Sequence, residues 1–73
     1  MEEKVIHIAA EIFHMNINEL SLETKRENCD KWDSLAHIQL ISEIEDIFDC
    51  EIGFDDVWQI SKLGDILKFI ERH

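Results

Sequence analysis

The sequence has 73 residues, 45% of them apolar, and carries seven Lys and Arg against seventeen Asp and Glu, a net charge of −10. That length holds one small hydrophobic core, and the apolar fraction excludes a disordered acidic tail. A phosphate backbone would repel so acidic a surface, which excludes direct nucleic-acid binding.

In chain order, Met1-Glu2-Glu3-Lys4 is acidic where a signal peptide would be basic, and no apolar run approaches membrane-spanning length, so no membrane insertion is expected. Val5, Ile8, Ala9, Ile12 and Phe13 recur at helical spacing and predict a first helix from Glu2 or Glu3 to His14. Asn16-Ile17-Asn18 ends it. Leu20 and Leu22 are expected to tuck a long structureless loop against the core, and that loop runs to Asp33. Connections of this length are unusual in small domains and often functional. Asp33-Ser34 supplies cap-type residues for a second helix from Ser34 to about Asp49. Asp55 to Ile60 reads as a short third helix entered through Gly53, its carboxylates at the positive end of the dipole. Ser61 reads as the cap of a last helix, Lys62 to Glu71, with Leu63, Ile66, Leu67 and Ile70 as its buried stripe. Glu51-Ile52 is strand-like but too short to count. The predicted fold is all-α: a small four-helix bundle, one domain over residues 1–73, with a long loop between helices I and II and a short helix III.

Charge is distributed in blocks: net −3 over residues 1–31, net −8 with no base over 32–61, and net +1 over 62–73. The acidic block coincides with the most apolar stretch, Ile38 to Phe48, which points to a folded acidic face and to basic partners. At 100° per residue with Ser34 as zero, Leu40, Ile41, Ile44, Ile47 and Phe48 fall between about 220° and 340°, the core stripe. Ser42, Glu45, Asp46 and Asp49 fall between about 20° and 120°, on the opposite side, with Leu35 and Ile38 among them. Two exposed apolar residues ringed by carboxylates suit a docking face for fast, reversible binding. His37, at about 300°, points toward the core as a structural histidine. His7 and His14 are too far apart to chelate one metal, and no carboxylate order resembles a calcium loop, so no metal site is expected. Trp32 and Trp58 read as packing residues, and Cys29 and Cys50 as reduced thiols of a cytoplasmic chain. No histidine completes a base-and-orienter set with Ser34, so no catalytic residue is expected.

One stretch carries a resemblance. Trp32-Asp33-Ser34-Leu35-Ala36-His37-Ile38, then Ile44-Glu45-Asp46-Ile47-Phe48, then Glu51-Ile52 and Ile60-Ser61-Lys62-Leu63-Gly64-Asp65-Ile66 resemble, in order and spacing, the acyl carrier protein family. The likeness runs from Met1 to Ile70, through motifs from Trp32 onward and by pattern before it. It implies a left-handed, mostly antiparallel four-helix bundle. It also implies a 4′-phosphopantetheine arm, donated by coenzyme A, joined through a phosphodiester to Ser34, with acyl groups carried as thioesters on the arm. A phosphodiester needs a hydroxyl, and a helix start presents one beside free backbone N–H groups that favour phosphate. The cofactor does the reactive work as a group carrier. Partner contact is expected at Asp33, Leu35, Ile38, Glu45, Asp46 and Asp49. The partners implied are a phosphopantetheinyl transferase and acyl-loading and acyl-processing enzymes with basic docking surfaces. The implied protein is a monomeric carrier and not an enzyme. Two departures stand out: Gly53 where fatty-acid carriers often have proline, and Lys31-Trp32 where they have a small residue. The second resembles stand-alone carriers of specialised pathways, and Trp32 would form one wall beside the arm. The alternative reading is an unmodified acidic helical module that binds a basic partner through the same face.

Overall fold

Each apolar stripe needs a partner surface, and four such stripes set the architecture. The computed structural model of the chain describes residues 2–71. Helix α1 spans Glu2–Phe13, α2 Ser34–Phe48, α3 Phe54–Val57 and α4 Leu63–Glu71. The all-α expectation holds: the described residues contain no strand, only a one-residue antiparallel bridge between Lys25 and Lys62.

Helix α1 packs on both α2 and α4. Lys4 near its start lies 5.8 Å from the Phe48 ring at the end of α2, and Phe13 at its end meets Trp32 just before α2, ring centroids 5.4 Å apart. The two helices therefore run antiparallel. Val5, Ala9 and Phe13 of α1, Leu40 and Ile44 of α2, and Leu63 and Ile66 of α4 form the centre of the core, with Ile60 closing it from the α3 side. Each large aliphatic side chain buried there is worth about 1.5–3 kcal/mol. Ile47, placed by its angle in the core stripe, is instead exposed. It sits at the edge of that stripe in the last turn, where a small rotation carries a side chain from core to solvent.

The two long helices end alike. His14 after α1 and Asp49 after α2 both adopt the left-handed conformation, with φ of 56° and 52°. In each case the next N–H reaches back five residues, Met15 to the Ala10 carbonyl at 3.0 Å and Cys50 to the Glu45 carbonyl at 3.1 Å. Glycine most often takes this position, but Asp and His are among the residues that tolerate it.

The long loop is not structureless. It contains two 3₁₀ turns, Ile17–Glu19 and Arg26–Asn28, the first closed by a capping box between Asn16 and Glu19. Leu20 is buried as expected, and Leu22 is half-buried. The middle of the loop is sewn onto the start of α4: Arg26 N–H donates to the Ser61 carbonyl (2.8 Å), Leu63 N–H to Thr24 (3.1 Å) and Gly64 N–H to Leu22 (2.8 Å). Gly64 suits this close approach, because a Cβ would stand a tight 3.1 Å from the Leu22 carbonyl oxygen and the loop would have to give by a few tenths of an ångström. Ser61 is not the cap expected of it. The Asp65 carboxylate caps α4 by accepting from Ser61 N–H at 3.0 Å, Lys62 N–H at 3.3 Å and the Ser61 hydroxyl at 3.2 Å. Burial pushes the Asp65 carboxyl up, but these donors and the nearby Lys68 ammonium outweigh it and hold the group below its ordinary value.

Candidate functional site

The start of α2 concentrates the chemistry. Asp33, in extended backbone, is the N-cap, and its Oδ1 accepts from Ala36 N–H at 2.9 Å. Capping is thus the work of Asp33, and Ser34 is the first helical residue rather than a cap. Its side chain is exposed and its hydroxyl makes no hydrogen bond within the described residues. The Ser34 and Leu35 N–H groups likewise have no acceptor among them, as helix starts leave their first donors free. An exposed primary alcohol beside two unpaired amide donors is a fitting place for a phosphate ester.

Beneath the hydroxyl the chain is tightly ordered. Trp32 is buried and His37, on the next turn of α2, is completely so. The Trp32 indole N–H donates to His37 Nδ1 at 2.9 Å, and His37 Nε2 lies 2.7 Å from the Val57 carbonyl at the end of α3. An indole can only donate and a carbonyl can only accept, so the imidazole is neutral with its proton on Nε2. Burial lowers the His37 pKa most, the Val57 hydrogen bond opposes this, and the Arg26 charge lowers it further. His37 is therefore structural, as expected from its angle. Both its nitrogens are committed, and it ties α2 to α3.

Along α2 from the hydroxyl runs an apolar and acidic surface. Leu35 is 69% exposed, and Ile38 is exposed beside it as expected. Asp46 and Asp49 are exposed too. Glu45 differs from the expectation of a free solvent-face carboxylate: it is half-buried, and its Oε2 accepts from Ile52 N–H at 2.8 Å, fastening the turn after α2. Asp49 doubles as the left-handed helix end. Cys50 is buried below, and burial together with the Glu45 and Asp49 charges pushes its thiol up, so it stays protonated and inert.

Three further residues escaped the sequence reading. Phe54, 81% exposed, opens a helix of four residues, too short to show any periodicity. Ile47 was hidden by its place at the stripe edge. Arg26 comes from the loop: its guanidinium lies 6.0 Å from the Trp58 ring centroid, and it lines one open depression together with Trp32, Asp33, Ser34 and Trp58. Trp58 packs as expected, its ring 5.3 Å from His37, but it is also partly exposed.

Comparison with known proteins agrees with this geometry. The profile of the phosphopantetheine attachment site family matches residues 3–70. An acyl carrier protein of Streptococcus pyogenes serotype M1 is 38% identical over 70 residues, which are 96% of this chain and 90% of that protein. One from Streptococcus pneumoniae serotype 4 is 36% identical over 70 residues, with the same coverage of 96% and 90%. One from Syntrophus aciditrophicus is 32% identical over 71 residues, 97% of this chain and 89% of that protein. Such agreement along almost the whole length, on a four-helix bundle that offers a free hydroxyl at a helix start, places the chain in the acyl carrier protein family, as a carrier that takes 4′-phosphopantetheine and tethers acyl intermediates on it.

Proposed function

We propose that Ser34 is the residue that carries the arm. The observation that supports this best is its exposed hydroxyl, free of any hydrogen bond, on the first residue of α2. In the modification, Ser34 Oγ loses its proton and bonds to the phosphorus next to pantetheine in coenzyme A, while the pyrophosphate bond breaks and the nucleotide half leaves. His37 is not free to take that proton, because both its nitrogens are engaged. The proton is taken by the phosphopantetheinyl transferase or by solvent, and the chain is a substrate and carrier rather than an enzyme.

Leu35, Ile38, Asp46 and Asp49, with Asp33 at the helix start, form the partner face for enzymes with basic docking surfaces. Glu45 supports that face by holding the turn behind it. The bundle works as a single, monomeric, cytoplasmic domain in a specialised pathway or in fatty-acid-like synthesis. No helix among the described residues is long and apolar enough to cross a membrane.

Incubation with coenzyme A and a broad-range transferase, followed by intact mass and peptide mapping, tests the assignment. One added phosphopantetheine on Ser34 is the expected result. An unmodified chain, or modification elsewhere, would refute it.

A further inference from the structure

We propose that Arg26 and Trp58 form a clasp for the arm on Ser34, the guanidinium binding the phosphodiester and the exposed edge of the indole lying against the pantetheine chain. This rests on Ser34 as the attachment residue. Arg26, Trp58 and Ser34 line the same open depression of about 460 Å³. A phosphodiester there adds a negative charge beside the Asp33 carboxylate, in the block of the sequence that has eight acids and no base. The compensating cation comes from the loop.

Arg26 is suited to this by what holds it and by what does not. Its N–H is fixed to the Ser61 carbonyl at 2.8 Å, which anchors the backbone beside the site. Seventeen acids are available in the chain, yet the ion pairs among the described residues are Lys62–Glu23 and Lys68–Asp65, and neither takes Arg26. The guanidinium rests instead over Trp58, and the His37 ring braces that indole at 5.3 Å. A cation–π contact with the indole keeps the guanidinium near the site and leaves its N–H groups able to grip two phosphate oxygens at once.

The test uses the full chain, isotope-labelled and converted with coenzyme A and a transferase until intact mass shows complete loading. Arginine side-chain spectra are simple here, because the chain has two arginines, Arg26 and Arg72. On conversion the Arg26 Nε–H signal is expected to move and its exchange with water to slow roughly five-fold, with a shift of the Trp58 indole signal; one charge-assisted hydrogen bond is enough for this. Loaded Arg26→Gln should lose the Trp58 shift while the signals of Trp32 and His37 stay as in the parent. A fully loaded parent whose Arg26 signal neither moves nor slows would overturn the clasp and leave the carrier assignment standing. Failure to load at all would overturn the carrier assignment and the clasp together.

Discussion

Two serines stand at helix starts in this chain, each with an aspartate near by, and their hydroxyls meet opposite fates. At α4, Asp65 follows Ser61 by four residues, reaches back, and takes the hydroxyl as well as two backbone N–H groups. At α2, Asp33 precedes Ser34 and caps forward onto Ala36, so the hydroxyl is left with no partner. The same two residue types thus produce a satisfied structural turn in one order and an available alcohol in the other. Sequence order decides which hydroxyl is held and which is left free.

The sharpest way to break this comparison is to delete each hydroxyl. Ser34→Ala should abolish loading by the transferase, and because Asp33 is the cap, it should change stability by no more than about 0.5 kcal/mol. Ser61→Ala should load fully. Intact mass and urea unfolding check both halves, and loading of Ser34→Ala would sink the assignment.

Next in size is the support under Ser34. His37→Leu would strand the Trp32 N–H and the Val57 carbonyl, at about 1–3 kcal/mol for each buried group left unpaired. Acid should act on the same residue. The unfolded chain takes up a proton near the ordinary histidine value of about 6.5, while the folded chain resists protonation to lower pH. This part of the stability is full above that pH and is lost as pH falls from it toward the lowered folded value. Melting temperature should decline over that range in the parent. In His37→Leu that slope should flatten, and an unchanged slope would assign it to other groups.

Smaller effects compare the two aspartates. Asp33→Ala should cost about 1 kcal/mol, an ordinary cap. Asp65→Ala, which loses three donors' acceptor, should cost more, about 2 kcal/mol. The lowered Asp65 carboxyl contributes stability that is present above the unfolded value of about 3.9 and is lost as pH falls through the folded one. Asp65→Asn should remove that acid-range component. Equal costs for the two alanine variants would mean that the reach-back arrangement adds nothing to a simple cap.

The smallest effect is that of salt. Neither ion pair among the described residues involves an acid of residues 32–61, so repulsion there is uncompensated. Melting temperature should rise from low to moderate sodium chloride, and a flat response would show that the carboxylates are already neutralised locally.

What was legible in the sequence follows from physics with a short range or a clear period. Helices α1, α2 and α4 were visible because their apolar residues repeat over two turns or more, and Leu63, Ile66 and Ile70 are buried as their spacing demands. His37 was legible by angle alone. Its two hydrogen bonds were not, because Val57 lies twenty residues away. Glu45 was misread as a free carboxylate for the same reason: helical angle separates core from solvent but is blind to an N–H that returns beside the helix seven residues later. The loop was misread as structureless because its partners, Ser61 to Gly64, sit at the other end of the chain. Arg26 thereby reached the site from a segment whose composition gave no hint of it.

That loop seam also has a consequence for the order of assembly. Residues 22–26 are held by residues 61–64, so their placement is a closure across about half the chain, slow to find and late to form. A nascent chain that has emerged as far as Gln59 already contains Ser34 and Trp58, yet it lacks the Ser61 carbonyl and the Leu63 and Gly64 N–H groups that pin the loop beside them. Hydrogen exchange on a chain stopped at Gln59 should find the Arg26 N–H unprotected, and protection there would disprove this dependence. The completed surface around the serine is thus withheld until the last helix is made, so that a modifying enzyme reading that surface would meet finished domains rather than growing ones.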